Sequence, residues 1–144
     1  MAGGQQFIAW QTNLLPMSYM KVSLDDLDPQ EIDDVEPTLR AVGYELRPSQ
    51  MRPSVWEFAP GESNNRHRQG EQEELYIVLD GRLEMEVEGE TFTVTADDYI
   101  VVPPESWRQM TAEEASQVLI IGAPNVQDDA IDEEETTDPT EEST

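Results

Sequence analysis

Few side chains in this sequence can do chemistry, and their spacing is regular. His67 is the only histidine of the chain. An unperturbed imidazole titrates near pH 6.5, so His67 is the one group suited to move a proton near neutrality. Gly61 precedes it by six positions, Glu74 follows seven later, and Gly81 stands seven beyond that. Further on, Pro103-Pro104 is followed by Trp107 and Arg108. Arg108 carries a guanidinium that is always charged and only donates hydrogen bonds. The chain has no cysteine, which excludes thiolate zinc sites, iron–sulfur clusters, disulfides and a cysteine nucleophile. There is no phosphate-binding glycine loop, no nucleophile elbow and no internal repeat.

The charge balance narrows the partners. The 144 residues carry 32 acids against 8 bases, a net charge of −24. A field of that sign repels nucleic-acid phosphates and anionic lipids, so neither nucleic acid nor a membrane surface is expected as a partner. The excess is not confined to the C-terminal end: residues 1–127 hold 23 acids and all 8 bases, a net charge of −15. Seven of the bases are Arg and only Lys21 is Lys. This pattern resembles proteins of organisms with molar internal salt, and a halophilic, archaeal source is the expectation. At 1 M salt the Debye length is about 3 Å, so the self-repulsion is screened. The folded chain is therefore expected to need high salt. Thermal unfolding across a salt series checks this, and full stability in dilute buffer would refute it.

The elements that must position these residues are mainly strands. Residues 1–19 bear no charged side chain and no signal-peptide pattern; they read as a leader, unstructured or upstream of a true start at Met17 or Met20, with a strand exchanged between subunits as the other reading. Met20–Leu24 begins like a strand, and the acidic residues 24–37, with Asp28-Pro29, predict a short helical turn or a loop. Thr38–Arg47 and Pro53–Pro60 read as strands, with Trp56 and Phe58 in the core. Glu74–Leu79 is an apolar run, with Tyr76 and Val78 in the core, closed by Asp80-Gly81. Arg82–Val87 alternates strictly between charged and apolar residues, a strand with one wet face. Thr91–Thr95 places Phe92 and Val94 inward; Tyr99–Val102 and Ser116–Gly122 complete the set. Turn signals every eight to twelve residues point to an all-β sandwich or barrel. From about residue 127 to 144 the sequence lacks any apolar period and reads as a disordered acidic tail.

The stretch from Pro60 to Met110 resembles the cupin family. Its first signature block is matched by Gly61, His67, Glu74 and Gly81. In the second, Asp97 and Glu105 stand at the two glycine positions, Pro103 at the proline and Arg108 at the histidine. The resemblance implies a cupin-like jelly-roll β-barrel over residues 20–126, with a short irregular or helical N-terminal segment. It also implies a metal site of three His and one Glu. Here His67 and Glu74 are kept, while Gln69 replaces the second His and Arg108 the third. A guanidinium opposes a divalent ion at that position, so no cofactor is expected, and a divalent transition metal on His67 and Glu74 is the alternative.

Two readings of Arg108 stand open. It pairs with Glu74, with Gln69 and His67 completing a buried polar network; or it faces an open cavity and binds an anionic small molecule, with His67 as the proton-transfer group. The function expected from the resemblance is small-molecule binding at His67, Gln69, Glu74 and Arg108, the alternative being a metal-dependent isomerase or dioxygenase. A homodimer and a cytoplasmic location complete the expectations; Trp107 is open to two readings, dimer contact or ordinary packing.

Overall fold

The computed structural model describes residues 18–133; the leader before residue 18 and the tail after 133 lie outside the described residues. Among the described residues, eleven strands form two antiparallel sheets packed face to face, with little helix. In chain order they are β1 (Gln30–Ile32), β2 (Val35–Arg40), β3 (Arg52–Phe58), β4 (His67–Gln69), β5 (Glu73–Asp80), β6 (Arg82–Val87), β7 (Glu90–Thr95), β8 (Tyr99–Val102), β9 (Arg108–Ala112), β10 (Ser116–Ala123) and β11 (Ala130–Asp132). A six-stranded sheet runs β1-β2-β3-β10-β5-β8, and a five-stranded sheet runs β11-β4-β9-β6-β7. This is a jelly roll.

Period-two alternation builds the core. Tyr76 and Val78 on β5, Leu83 and Met85 on β6, Met110 on β9 and Val118 on β10 are fully buried between the sheets. Phe58, Val94, Val102, Ala112 and Ile120 complete the cluster. The β5–β6 turn is a single residue, Gly81, with φ at 97° and its Cα side against Ser116. Only glycine takes that conformation in that space without strain.

Several local expectations are corrected. Met20–Leu24 is not a strand; Leu24–Asp26 forms a 3₁₀ turn, and the Arg40 guanidinium binds the carbonyls of Leu24 and Leu27 at 3.2 and 2.9 Å. The short helical turn expected within 24–37 is this one, ahead of Asp28-Pro29 rather than started by it, while residues 30–40 fold as a β1–β2 hairpin around Asp34 at φ 65°. Thr38–Arg47 divides at Ala41: Val42–Leu46 is a helical turn, α1, ended by Arg47 in the left-handed conformation. Gly43 lets α1 sit on β3, since a Cβ there would lie 2.8 Å from the Pro53 carbonyl oxygen. Phe92, expected inward, stays 37 % exposed. It lies on β7, an edge strand with no neighbour to close over it. The polar stretch after 127 also has structure: Ala130–Asp132 pair with β4 as β11.

Candidate functional site

Two sheets supply the site. Strand β4 brings His67 and Gln69, β9 begins at Arg108, and the register sets His67 directly beside Arg108. Glu74 and Tyr76 come from β5 in the opposing sheet, two residues apart and therefore on one face. The four residues singled out in the sequence do converge. Tyr76 was read only as core; its shared parity with Glu74 on one strand was the signal that it belongs here.

Glu74 is the hub. Tyr76 donates its hydroxyl to Glu74 Oε1 at 2.7 Å, and Gln69 Nε2 donates to Oε2 at 3.2 Å. Arg108 Nη2 lies 3.4 Å from Oε1 as an ion pair. His67 Nε2 stands 3.9 Å from the same oxygen, while His67 Nδ1 bonds the Asn65 carbonyl at 2.8 Å. That carbonyl can only accept, so Nδ1 carries a proton and donates it there. Burial pushes the Glu74 carboxyl up, but His67, Tyr76 and Arg108 together outweigh it and hold it below its ordinary value. Burial and the Glu74 charge push the Tyr76 hydroxyl well up, so it stays a donor.

Arg108 is completely buried. Its Nη1 donates to the carbonyls of Pro104 and Ser106 at 3.1 and 2.7 Å, and its Nε to the Tyr76 hydroxyl at 3.3 Å. The expectation that it faces an open cavity and holds an anion is corrected: it is absent from the lining of the cavity described below. The carbonyls after Pro103-Pro104 and the Glu74 carboxylate draw the guanidinium into the wall, where its charge is paired.

Above Glu74 opens a cavity of about 690 Å³. Its apolar walls include Val35, Leu39, Trp56 and Ile120, and its polar floor is His67, Gln69, Gln72, Glu74 and Tyr76. Trp56, expected in the core, is half-buried and faces this space. One wall belongs to the chain after β10: Asn125, Gln127, Ala130 and Asp132. The Asp129 carboxylate fastens that wall by accepting the backbone N–H groups of Glu71 and Gln72 at 2.8–3.0 Å. On the outer surface the Trp107 ring packs under the guanidinium groups of Arg66 and Arg68, 5.6 and 5.4 Å from its centroid. Arg66 also pairs with Glu86 and Glu133 at 2.8–2.9 Å.

Residues 54–122 match the family described as a cupin domain. The chain belongs to the cupins. A Streptomyces cyaneus protein named polyketide synthase CurC is 36% identical over 63 residues, which cover 42% of this chain and 41% of that protein. The match thus spans about two-fifths of that relative's length. Among solved structures, an RmlC-like cupin from Shewanella frigidimarina superposes with a TM-score of 0.67 at 16% identity, covering 77% of this chain and 96% of that one. The polyketide cyclase RemF from Streptomyces resistomycificus gives 0.69 at 16% identity, covering 81% and 86%. At these identities the two structures speak for the fold.

The metal that the resemblance implies does not fit this cupin's residues. Only one imidazole is present, and a buried guanidinium occupies the third histidine's position 3.4 Å from the one carboxylate. A divalent ion on Glu74 would meet that fixed charge in a region of low dielectric. Among the described residues, no group of three or more His, Cys, Asp or Glu could hold a metal. No helix of the described residues is long and apolar enough to cross a membrane.

Proposed function

We propose that this cupin binds a small organic molecule over His67, Gln69 and Glu74, in a site that works without a metal. The observation that carries the reading is the cavity itself: apolar walls of ligand size ending on a few convergent polar groups, the usual build of a small-molecule site. The names of two similar proteins, a polyketide synthase and a polyketide cyclase, support a small ketide-like molecule. A second reading, proton transfer on the bound molecule, is favoured by His67 lining the cavity with its Nε2 3.9 Å from Glu74 Oε1. The metal-dependent isomerase or dioxygenase is disfavoured by the donor set. The cysteine-free composition supports a cytoplasmic location.

Two measurements test the reading together. Elemental analysis after purification in high salt without chelator is expected to find less than about a tenth of an equivalent of metal per chain. A thermal-shift panel of small ring compounds is expected to contain stabilisers of the wild type that leave Ile120→Trp unmoved, since an indole there fills the cavity. One full equivalent of Fe, Mn, Ni or Zn would overturn it, as would stabilisation that survives the filled cavity.

For assembly, we propose a homodimer through the outer face of β10-β5-β8. Register aligns Leu119, Ile77 and Tyr99 in one row and Ile121, Leu75 and Val101 in the next. Tyr99 and Val101 are 69% and 57% exposed. An uncharged face of this kind is where two strongly acidic copies can approach. Val101→Glu is expected to convert the dimer to monomer in sedimentation velocity at high salt; a monomeric wild type, or a variant that stays dimeric, would remove this proposal.

A further inference from the structure

The floor of the cavity has a polarity that its composition hides. Its hydrogen-bond donors are turned inward on the protein. Tyr76 and Gln69 give theirs to Glu74. Gln72 Nε2 gives its protons to the carbonyls of Pro124 and Val126 at 3.1 and 2.8 Å. His67 Nδ1 is committed to Asn65, and on the wall Trp56 Nε1 donates to Ser54 Oγ at 3.0 Å. The Arg108 guanidinium, the strongest donor nearby, lies outside the lining. The acceptors at this end are the Glu74 carboxylate and Gln69 Oε1, both on residues that line the cavity. The last is buried with no partner in the protein, and Gln69 is only 4% exposed. An unpaired buried acceptor is costly, and a donating ligand group would relieve that cost.

We propose, building on the small-molecule reading above, that the ligand is a neutral, mainly apolar ring compound whose buried end carries hydroxyl or enol groups. It donates to Gln69 Oε1 and to the Glu74 carboxylate. An anion is disfavoured twice: the floor offers it lone pairs and a carboxylate, and the whole chain carries −24. The cationic groups that line the cavity, Arg47 after α1 and Arg52 at the start of β3, are exposed, and Arg52 Nη1 already donates to Asn125 Oδ1 at 3.2 Å. A site built to receive a donor also rejects the same shape without it.

The test uses three probes of nearly one shape on the full chain in high salt, by titration calorimetry: 2-naphthol, 2-methoxynaphthalene and 2-naphthoate. The naphthol is expected to bind at least tenfold more tightly than its methyl ether and than the naphthoate, with or without chelator. In Gln69→Met, nearly the same volume without the acceptor, the preference for naphthol over the ether is expected to shrink severalfold while the ether holds its affinity. If that variant does not fold, the wild-type ranking decides alone. Equal binding of naphthol and ether overturns the inference, as does a preference that requires added metal. Tightest binding by the naphthoate overturns it as well, placing the ligand's charge on Arg47 or Arg52, yet leaves the small-molecule reading intact. Failure of all three probes overturns this ligand class, and the cavity-filling panel then decides whether the wider reading falls too.

Discussion

Arg108→Ala is expected to lower the folding stability of the barrel by about 3–5 kcal/mol, the typical cost of removing one member of a buried ion pair. Arg108 is fully buried, and its loss strands several groups at once. Glu74 loses the nearest positive charge, and the carbonyls of Pro104 and Ser106 lose their donor. Chemical denaturation in high salt measures the change, and an unaltered midpoint would contradict this account of the wall. The pH dependence gives a second readout. Glu74 is held below the ordinary carboxyl value of 4.5, so its contribution is present above that pH and is lost as pH falls through the lowered value. Once Glu74 is protonated, Arg108 in the wild type is itself a buried charge without its counter-ion. The gap between wild type and Arg108→Ala is therefore expected to narrow on acidification below about 4.5. The many other carboxylates titrate in both proteins and cancel in the difference.

Restoring the histidines should have an effect as large in the opposite direction. The double variant Gln69→His with Arg108→His is expected to take up about one equivalent of Zn or Ni with a Kd near or below about 1 µM, roughly 8 kcal/mol of binding. The backbone already aims positions 67, 69 and 108 at Glu74: His67 and Arg108 are cross-strand partners, and Gln69 reaches Glu74 from two residues along. The change removes the opposing cation and adds two imidazoles, the donors that suit such ions. Metal bound to the folded state alone raises its Tm by mass action, so the thermal shift and the stoichiometry should agree. Metal-free, folded double variant would mean that these positions no longer converge as a ligand set requires. Gln69→His alone is expected to stay metal-free, because the guanidinium remains.

How much of this was legible depended on how far each element could express a period. Arg82–Val87 and Tyr99–Val102 are strands with the bounds that alternation and turn residues predict. The three-residue strands β1, β4 and β11 are too short to show any period, and β11 exists because β4 offers it an edge. Asp97 was legible in a different way. It occupies a glycine position of the family pattern and does adopt φ 76°, a conformation Asp tolerates better than most residues. At the site, the identities of His67, Gln69, Glu74 and Arg108 could be read, but the direction of the guanidinium could not. That depended on two backbone carbonyls, which have no signature in side-chain types. Tyr76 was hidden for the opposite reason: an aromatic residue inside an apolar run looks like packing until its hydroxyl meets a carboxylate.

The wall fastened by Asp129 bears on where this domain ends. The family match covers residues 54–122, yet Asn125, Gln127, Ala130 and Asp132 close one side of the cavity. The matched stretch and the unit able to act as a container are thus different lengths. A chain cut at 122 would keep its motif and lose its vessel. A fusion or label joined just after β11 would pull on the same wall, so ligand affinity is the property that such an attachment would disturb first.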